Sequence, residues 1–254
     1  MSKVRADLLL TERGLAPTRT RARALILAGR VFSGERRVEK SGDQLQPDAP
    51  LEVRGGDLPY VSRGGLKLEG ALDAFGFDPT GLVAADFGAS TGGFTDCLLK
   101  RGAVKVYAID VGDGQLHDKM RRDDRVVVME RTNARHLTRD DIPEPIDLIV
   151  IDASFIGLGK LLPAAAVLLS ETVRGGRVAS VVAMVKPQFE VGRGATKGGV
   201  VRDPELRLAA IDGVSRAATE LGFVERQRAD AAVKGPKGNH EAFLLLELVA
   251  TGAT

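Results

Sequence analysis

Residues 83–93 read Val-Ala-Ala-Asp-Phe-Gly-Ala-Ser-Thr-Gly-Gly, and this stretch decides the fold. The apolar run Val83–Phe87 is short and ends beside a carboxylate, which favours a buried strand. The loop Gly88–Gly93 follows, and we predict a helix from there through Leu99, with Gly102 as its cap. Glycines in such a loop allow a tight turn and a close approach of the backbone to a ligand. The stretch therefore predicts a site for a nucleotide-like cofactor.

Alternating strands and helices continue after this loop. The order predicts an α/β fold, in which a mostly parallel sheet carries helices on both faces. Ligands bind such a sheet at the carboxyl ends of its strands, near the switch in strand order. The predicted strands are Val104–Asp110, Val126–Met129, Ile146–Asp152, Val178–Lys186 and Ala242–Leu248, and the predicted helices lie near Leu158–Ser170 and Pro204–Leu221.

An acidic residue at the end of the next predicted strand narrows the choice of cofactor. Asp110 stands about twenty residues after the glycine loop, where a carboxylate can bind both ribose hydroxyls. A dinucleotide fingerprint has glycine where Ser90 stands, and the Gly-Lys-Ser/Thr of a P-loop is absent. S-adenosylmethionine has ribose and adenine but no phosphate, so we expect this cofactor; a purely structural glycine turn is the alternative. The predicted cofactor-binding residues are Asp86, Gly88, Ala89, Ser90, Thr91, Gly92, Gly93, Asp110 and Asn133.

Four polar side chains stand where predicted strands begin or end, or where the cofactor domain begins. Asp152 and Lys186 each end a strand, and Pro187 turns the chain away from regular pairing after Lys186. Glu241 precedes the last strand, and Lys67 lies at the entrance to the domain. Taken singly, each has a plainer interpretation, because a lysine at a strand end is usually a solvated surface residue. Function concentrates at strand ends in this fold class, so all four are candidate catalytic residues.

The first 57 residues form a separate predicted module. They hold 11 Lys and Arg against 8 Asp and Glu, whereas residues 58–254 hold 25 against 26. A basic helix face either follows RNA phosphates or is simply solvated, and charge alone does not decide between these two interpretations. The predicted elements are helices Ala6–Gly14 and Arg19–Ala28, a hairpin with Val31-Phe32 and Val38 around the turn Ser33-Gly34-Glu35, and a closing strand Leu51–Val53.

Two resemblances extend these predictions. Residues 5–38, RADLLLTERGLAPTRTRARALILAGRVFSGERRV, resemble an S4 RNA-binding domain. The stretches VSRGGLKLEGAL, DFGASTGGFTDCLL, RTNARHL, VKPQFEVGRG and GNHEAFLL resemble the TlyA family, known as ribosomal RNA 2′-O-methyltransferases and, historically, as hemolysins. The resemblance implies an S4-like domain over residues 1–57 and a Rossmann-like, FtsJ-like methyltransferase domain over residues 58–254. The S4 resemblance favours RNA as the partner of the basic side chains in the first module, which are Arg5, Arg19, Arg21, Arg23, Arg30, Arg36 and Arg37. The predicted RNA-binding residues are Arg5, Arg19, Arg21, Arg23 and Arg63.

The TlyA resemblance further implies an activity. It predicts S-adenosylmethionine-dependent 2′-O-methylation of a ribose, expected to be that of a cytidine, with ribosomal RNA or a ribosomal subunit as partner. Lys67, Asp152, Lys186 and Glu241 reproduce the catalytic tetrad of ribose 2′-O-methyltransferases in the family's order. In two respects the chain departs from relatives. The loop after Asp110 has no aromatic residue, so we expect no stacking there, and the chain ends soon after Leu248, which predicts a narrower substrate range.

The tetrad suits the chemistry of a ribose hydroxyl, which is a poor nucleophile and must lose its proton as it attacks. Lys186 is the candidate base; repulsion from Lys67 favours its neutral form, whereas Asp152, which orients it, favours the charged form. Glu241 is expected to hold Lys67 or a ribose hydroxyl. In-line alignment of the reacting atoms supplies much of the rate. No metal is expected, because the three histidines, His117, His136 and His240, have no ligand spacing.

Composition limits the alternatives. The chain of 254 residues is 44% hydrophobic and 28% charged, as in soluble globular proteins, and its single cysteine excludes an internal disulfide. The first apolar run is too short for a signal peptide, so a cytoplasmic location is expected. A membrane-active hemolysin would need a long amphipathic or apolar segment. A non-catalytic RNA-binding protein would not need the tetrad, and a base methyltransferase typically has an Asn/Asp-Pro-Pro-aromatic loop instead of Asp152-Ala153-Ser154-Phe155.

Overall fold

The computed structural model describes residues 3–27, 29–54, 59–192, 196, 198–235 and 238–249. The chain divides into two units, Met1–Asp57 and Leu58–Thr254.

The N-terminal unit combines two helices with short strands around a small apolar core. Strands β2, β3 and β5 form an antiparallel sheet in the order β3-β2-β5, and β1 pairs with β4. The core includes Ala6, Leu10, Ala22, Leu25, Ile26 and Val31. The elements are β1 (Val4–Arg5), α1 (Ala6–Glu12), α2 (Arg19–Leu27), β2 (Val31–Ser33), β3 (Arg36–Arg37), β4 (Gln44–Leu45) and β5 (Leu51–Val53).

The C-terminal unit is built on one large sheet. In the described part of the chain this sheet has seven strands, β6 (Val83–Phe87), β7 (Lys105–Ile109), β8 (Val126–Met129), β9 (Leu148–Ile151), β10 (Ala179–Val185), β11 (Phe223–Asp230) and β12 (Ala242–Leu248). The helices are α3 (Arg63–Phe75), α4 (Gly93–Lys100), α5 (Asp118–Arg121), α6 (Leu162–Arg174), α7 (Pro187–Glu190) and α8 (Pro204–Glu220).

The strand order is β11-β12-β10-β9-β6-β7-β8. Strands β8, β7, β6, β9 and β10 are parallel, and β12 and β11 continue the sheet antiparallel. The chain first moves from β6 outward to β8, then returns to the other side of β6 with β9. The switch in strand order therefore lies between β6 and β9, and a crevice for ligands opens beyond their carboxyl ends.

Two apolar cores cover the two faces of this sheet. Side chains alternate between them along each central strand: Ile149 and Ile151 face one core, and Leu148 and Val150 face the other. Helices α6 and α8 supply residues to the first core, whereas α3, α4 and α5 supply residues to the second. This alternation, together with burial on both faces, explains why the central strands are near-continuous apolar runs. The predicted α/β fold with helices on both faces is confirmed.

Several boundaries differ from those predicted. The helix predicted at Leu158–Ser170 begins as a 3-10 turn, and α6 proper starts at Leu162, because Pro163 has no N–H group and suits the first turn of a helix. Ser33 pairs with Arg36 in the sheet, so the hairpin turn is shorter than predicted. Val38 is outside the strands, although its N–H group donates to the carbonyl of Val31. Ala28, the predicted end of the second helix, lies outside the described residues.

The short elements β1, β4, α5 and α7 were not predicted, and neither were two longer ones, β11 and α3. Strand β11 has a largely polar, exposed sequence, Glu225-Arg226-Gln227-Arg228, because it lies at the edge of the sheet. Helix α3 could have been predicted from the residues at its two ends. Ser62 caps its first turn by accepting from the N–H group of Gly64, and Gly76 ends it in the left-handed conformation.

Candidate active site

The glycine loop leaves the sheet at the carboxyl end of β6. The N–H groups of Gly88 and Ala89 both donate to the carbonyl of Ile109, at 2.9 and 3.1 Å, which fastens the loop to the neighbouring strand β7. Gly88 has φ +88°, and a Cβ atom there would lie 2.9 Å from the backbone oxygen of Asp152. Only glycine fits this position, because the loop and the end of β9 are in backbone contact.

Asp110 follows β7 directly and is tied to the same loop. Its carboxylate accepts hydrogen bonds from the N–H group of Ser90 at 2.8 Å and from that of Gly112 at 2.7 Å. The carboxylate that sequence analysis assigned to the cofactor ribose thus faces the glycine loop.

A cavity of about 460 Å³ opens beside this loop. Its lining includes five of the predicted residues, and it also receives side chains from the segment after β9. Asn133 lies at the cavity wall as the N-cap of a 3-10 turn, where its side chain accepts from the N–H group of Arg135 at 3.1 Å. The predicted residues in the lining are Gly88, Ser90, Asp110, Asn133 and Asp152.

Other predicted cofactor residues shape the loop from outside the cavity lining. Gly92 is the N-cap of α4 with φ +88°, and a Cβ atom on it would lie 2.9 Å from Leu116 and Met120. Ala89 is buried, and the carbonyl of Thr91 accepts from the N–H group of His117. These residues set the path of the loop.

Asp86 is buried completely beneath the loop. One carboxylate oxygen, Oδ2, accepts from the N–H group of Thr95 at 3.0 Å and from its hydroxyl at 2.7 Å. The other, Oδ1, has no hydrogen-bond partner among the described residues. Burial raises the pKa of Asp86 to about 7; the Thr95 hydroxyl lowers it and the negative charge of Asp152 raises it further.

The cavity fits S-adenosylmethionine better than a phosphate-bearing cofactor. Among its described lining residues there is no lysine or arginine to neutralise a phosphate, whereas Asp110 and Asp152 place carboxylates there. A sulfonium cation is compatible with such an acidic wall, and Oδ1 of Asp86, two residues ahead of the loop, has no hydrogen-bond partner among the described residues. The glycine backbone leaves room for close approach of a ligand.

Helix α3 carries Lys67 and meets the glycine loop through small residues. A Cβ atom on Gly93 would lie 3.0 Å from the nitrogen of Gly65 and 3.2 Å from the Cα of Gly64. A Cβ atom on Gly65 would collide with the ring of Tyr60, at 2.3 Å. The glycines thus let the first turn of α3 pack against the first turn of α4.

The four tetrad residues form two ion pairs. Lys67 donates to the carboxylate of Glu241, and both side chains are buried. The Nζ atom of Lys186 lies 2.5 Å from Oδ1 of Asp152 and donates to the hydroxyl of Ser154 at 2.8 Å. The Asp152 side chain is 24% exposed, which makes this pair the more open side of the tetrad.

The two pairs influence each other electrostatically. Burial raises the pKa of Asp152; the positive charges of Lys186 and Lys67 oppose that rise, and the negative charge of Glu241 adds to it. The two charges of the other pair, Lys67 and Glu241, therefore act on the pKa of Asp152 in opposite directions.

Several residues that support the site were not identified from sequence. Glu190 accepts from the N–H group of Leu158 at 2.9 Å and so ties α7, which follows Lys186, to the segment after β9. Asp96, buried in α4, accepts from the N–H group of Val61 at 2.9 Å just ahead of α3. Both acids lie in stretches that resemble the TlyA family, DFGASTGGFTDCLL for Asp96 and VKPQFEVGRG for Glu190. They were not identified because neither lies at the end of a predicted strand.

The predicted RNA-binding arginines fall into two groups. Arg5, Arg19 and Arg23, in the N-terminal unit, all bind the carboxylate of Asp7, a residue that sequence analysis passed over. Arg21 is exposed on α2, and Arg63 is exposed as the first residue of α3.

Neither a membrane-spanning helix nor a metal-binding cluster is present in the described residues. Within the described residues, no helix combines the length and apolar character needed to cross a bilayer. The same part of the chain has no cluster of three or more His, Cys, Asp or Glu suited to a metal ion.

The sheet order, the strand-end glycine loop and the two ion pairs of the tetrad define a protein of the Rossmann-like methyltransferase class. The chain belongs to the FtsJ-like methyltransferase family, which it matches over residues 60–248, and it carries an S4 domain over residues 4–50.

Individual relatives extend over both parts. The 16S/23S rRNA (cytidine-2′-O)-methyltransferase TlyA of Mycobacterium tuberculosis is 46% identical over 96% of this chain and 90% of its own. Hemolysin A of Brachyspira hyodysenteriae is 40% identical over 94% of this chain and 97% of its own. A solved structure, a hemolysin candidate of Streptococcus thermophilus, superposes with a TM-score of 0.76 at 39% identity, covering 98% of this chain and 90% of that one.

Proposed function

We propose that this protein transfers a methyl group from S-adenosylmethionine to the 2′-hydroxyl of a cytidine ribose in ribosomal RNA. The observation that carries the proposal is the tetrad of two ion pairs, Lys186 with Asp152 and Lys67 with Glu241, one member of which lines the cofactor cavity. The printed substrate of the Mycobacterium tuberculosis relative supports ribosomal RNA and cytidine.

The residues around the glycine loop would hold the cofactor. Asp110 is suited to its ribose hydroxyls, Asn133 to its adenine edge and the backbone of Gly88–Ser90 to close contact. When bound there, S-adenosylmethionine supplies an electrophilic methyl group on a positively charged sulfur.

Lys186 acts on the ribose hydroxyl. Asp152 and Ser154 hold its amino group in place through a contact of 2.5 Å and a hydrogen bond of 2.8 Å, so the nitrogen has a defined position at the end of β10. In the ion pair Lys186 carries a proton, so it acts as a base only after losing that proton to solvent; the proton of the attacking hydroxyl then moves to its nitrogen. Fixing the acceptor this way lowers the entropy cost of alignment.

Lys67 and Glu241 support this arrangement from the buried side. The pair joins α3 to the amino end of β12. Each charge neutralises the other at a position that water scarcely reaches, and removing one partner would leave the other as an uncompensated buried charge.

The experiment is methyl transfer with isotope-labelled S-adenosylmethionine onto ribosomal subunits and onto deproteinised 16S and 23S RNA. We expect labelled 2′-O-methylcytidine in the digested product, located by primer extension at low nucleotide concentration. Label on a base, or no label in any ribosomal RNA, would overturn the proposal.

A further inference from the structure

One carboxylate organises three arginines on the N-terminal unit. Asp7, in the first turn of α1, is fully buried. Its Oδ1 accepts from Nε of Arg5 at 3.0 Å, and its Oδ2 accepts from the Nη2 of Arg5 at 3.2 Å. Oδ2 also accepts from Nη2 of Arg19 at 3.2 Å and from Nε of Arg23 at 3.0 Å. A single carboxylate is thus shared by three guanidinium groups.

The three arginines reach Asp7 from different parts of the chain but keep an open side. Arg5 ends strand β1, whereas Arg19 and Arg23 are one helical turn apart on α2. Their side chains are 43, 47 and 57% exposed, although the carboxylate that they share is not exposed at all. Part of each arginine side chain is therefore open to solvent while Asp7 is not.

Charge balance shows what Asp7 does for this cluster. Hydrogen bonds from Arg5, and then from Arg23 and Arg19, hold the pKa of Asp7 below its usual range, against burial, which raises it. Three positive charges around one negative charge leave a surplus of two. Without the carboxylate the three guanidinium groups would repel one another and adopt separate rotamers.

We propose that Asp7 is a positioning residue for RNA binding, which holds Arg5, Arg19 and Arg23 as one pre-organised cation cluster for the phosphates of the RNA backbone. The proposal rests on the proposed function, since it assumes that the N-terminal unit binds RNA. A guanidinium group binds phosphate oxygens through the same kind of planar donor that binds a carboxylate, so the donors that Asp7 does not occupy suit phosphates. Pre-organisation reduces the side-chain ordering that binding would otherwise require.

The test depends on the sign of a charge effect. Asp7→Asn removes a negative charge, so simple electrostatics predicts tighter RNA binding. The proposal predicts the reverse: the full chain should bind deproteinised 23S RNA at least about fivefold more weakly, because charge-assisted hydrogen bonds that order the arginines are removed. The binding constant should also depend less steeply on salt. The magnitude of the slope of log K against log salt concentration should decrease by about 0.7–0.9 for each phosphate that the arginines no longer neutralise.

Glu12→Gln is the matched control. Glu12 is an exposed acid on the same helix, and its substitution makes the same change in net charge without touching the arginines. We expect its RNA affinity to be unchanged or slightly higher. An Asp7→Asn protein that folds and binds RNA as tightly as Glu12→Gln would overturn the proposal.

A second variant covers the case in which Asp7→Asn does not fold. Arg19→Lys keeps the charge but loses the planar donor that reaches Oδ2 of Asp7. We expect weaker RNA binding than in the wild type, and unchanged binding would overturn the proposal. Wild-type protein measured in parallel separates the proposed function from the proposed role of Asp7. If the wild type binds and methylates 23S RNA and the variants bind that RNA equally tightly, only the role of Asp7 is wrong. If the wild type does neither, the proposed function fails with it.

Discussion

Gly88 and Asp152 are in backbone contact: a Cβ atom on Gly88 would lie 2.9 Å from the carbonyl oxygen of Asp152. The contact joins the glycine loop after β6 to Asp152, the tetrad residue after β9. The switch in strand order lies between these two strands. Any side chain at position 88 would therefore press on the backbone of Asp152.

Gly88→Ala should weaken cofactor binding and methyl transfer together. The new methyl group must displace backbone, and alanine at φ +88° adds strain of about 1–2 kcal/mol. Gly81→Ala is the control, because Gly81 also has positive φ, +78°, but has open space around it. Calorimetry with S-adenosylmethionine should separate the two variants; equal affinities would contradict the close contact.

Asp110→Ala should reduce affinity for S-adenosylmethionine by about 10- to 100-fold, the range expected for loss of hydrogen bonds to a charged group. Asp113→Ala is the matched variant, since Asp113 lies on the same loop but its side chain is 56% exposed and pairs with Arg131. Titration calorimetry on both proteins checks the prediction. An Asp110→Ala protein with wild-type affinity would rule out its ribose contact.

Lys186→Ala should lower the rate of methyl transfer by about 10²–10⁴-fold, the usual contribution of positioned proton transfer. Cofactor and RNA affinity should change far less, because the interaction that is removed belongs to the transition state. Lys105→Ala provides the comparison: Lys105 also pairs with a carboxylate, Glu144, but at the amino end of β7, away from the site.

Lys186→Arg distinguishes a base from a fixed charge at the same position. A guanidinium group stays protonated throughout the working pH range, so we expect no recovery of activity in single-turnover assays. An active Lys186→Arg enzyme would mean that a permanent positive charge is sufficient and that no proton moves to this residue.

Asp86→Asn should change how stability depends on pH. Burial raises the pKa of Asp86 from 3.8 to about 7, so between these values the folded protein keeps a proton that the unfolded chain has lost. Wild-type stability therefore falls as pH rises through this window, by up to about 1.4 kcal/mol per pH unit from this group. The variant lacks this titration, so its free energy of unfolding in urea should rise relative to wild type from pH 4 to 7. If the free energies of unfolding of the wild type and the variant changed equally with pH, the raised pKa of Asp86 would be contradicted.

Deletion of residues 1–57 should abolish most methyl transfer to ribosomal RNA and leave S-adenosylmethionine binding largely intact. The reason is that the predicted phosphate-binding arginines Arg5, Arg19, Arg21 and Arg23 leave with the N-terminal unit, whereas the cofactor cavity lies within the other unit. Calorimetry and labelled methyl transfer measure the two properties. Transfer at the full rate would assign the N-terminal unit another role.

The central strands were predictable because burial on both faces leaves a continuous apolar run. Ile146–Asp152 was predicted and Leu148–Ile151 observed, a difference only at the ends. Strand β11 was not predictable on this basis. Its polar side chains face solvent at the sheet edge, and what makes it a strand is pairing with β12, for example Arg228 with Leu244.

The sequence by itself determined where polar groups interrupt apolar runs, and so placed Asp86, Asp110, Asp152 and Lys186 at strand ends. That pattern is local, because a strand ends where its buried run ends.

The family resemblance had implied that Asp152 orients Lys186 and that Glu241 holds Lys67 or a ribose hydroxyl. Only the tertiary structure decided that Glu241 is paired with Lys67 and showed how closely each pair approaches. Lys67 and Glu241 are 174 residues apart in the chain yet share a buried contact, and Lys186 binds Asp152 rather than standing beside an unpaired Lys67. The same holds for Asp7, whose three arginines were identified singly and whose carboxylate was passed over. A buried charge must find an opposite charge to offset its lost hydration, and the packing of distant elements determines which one comes within reach.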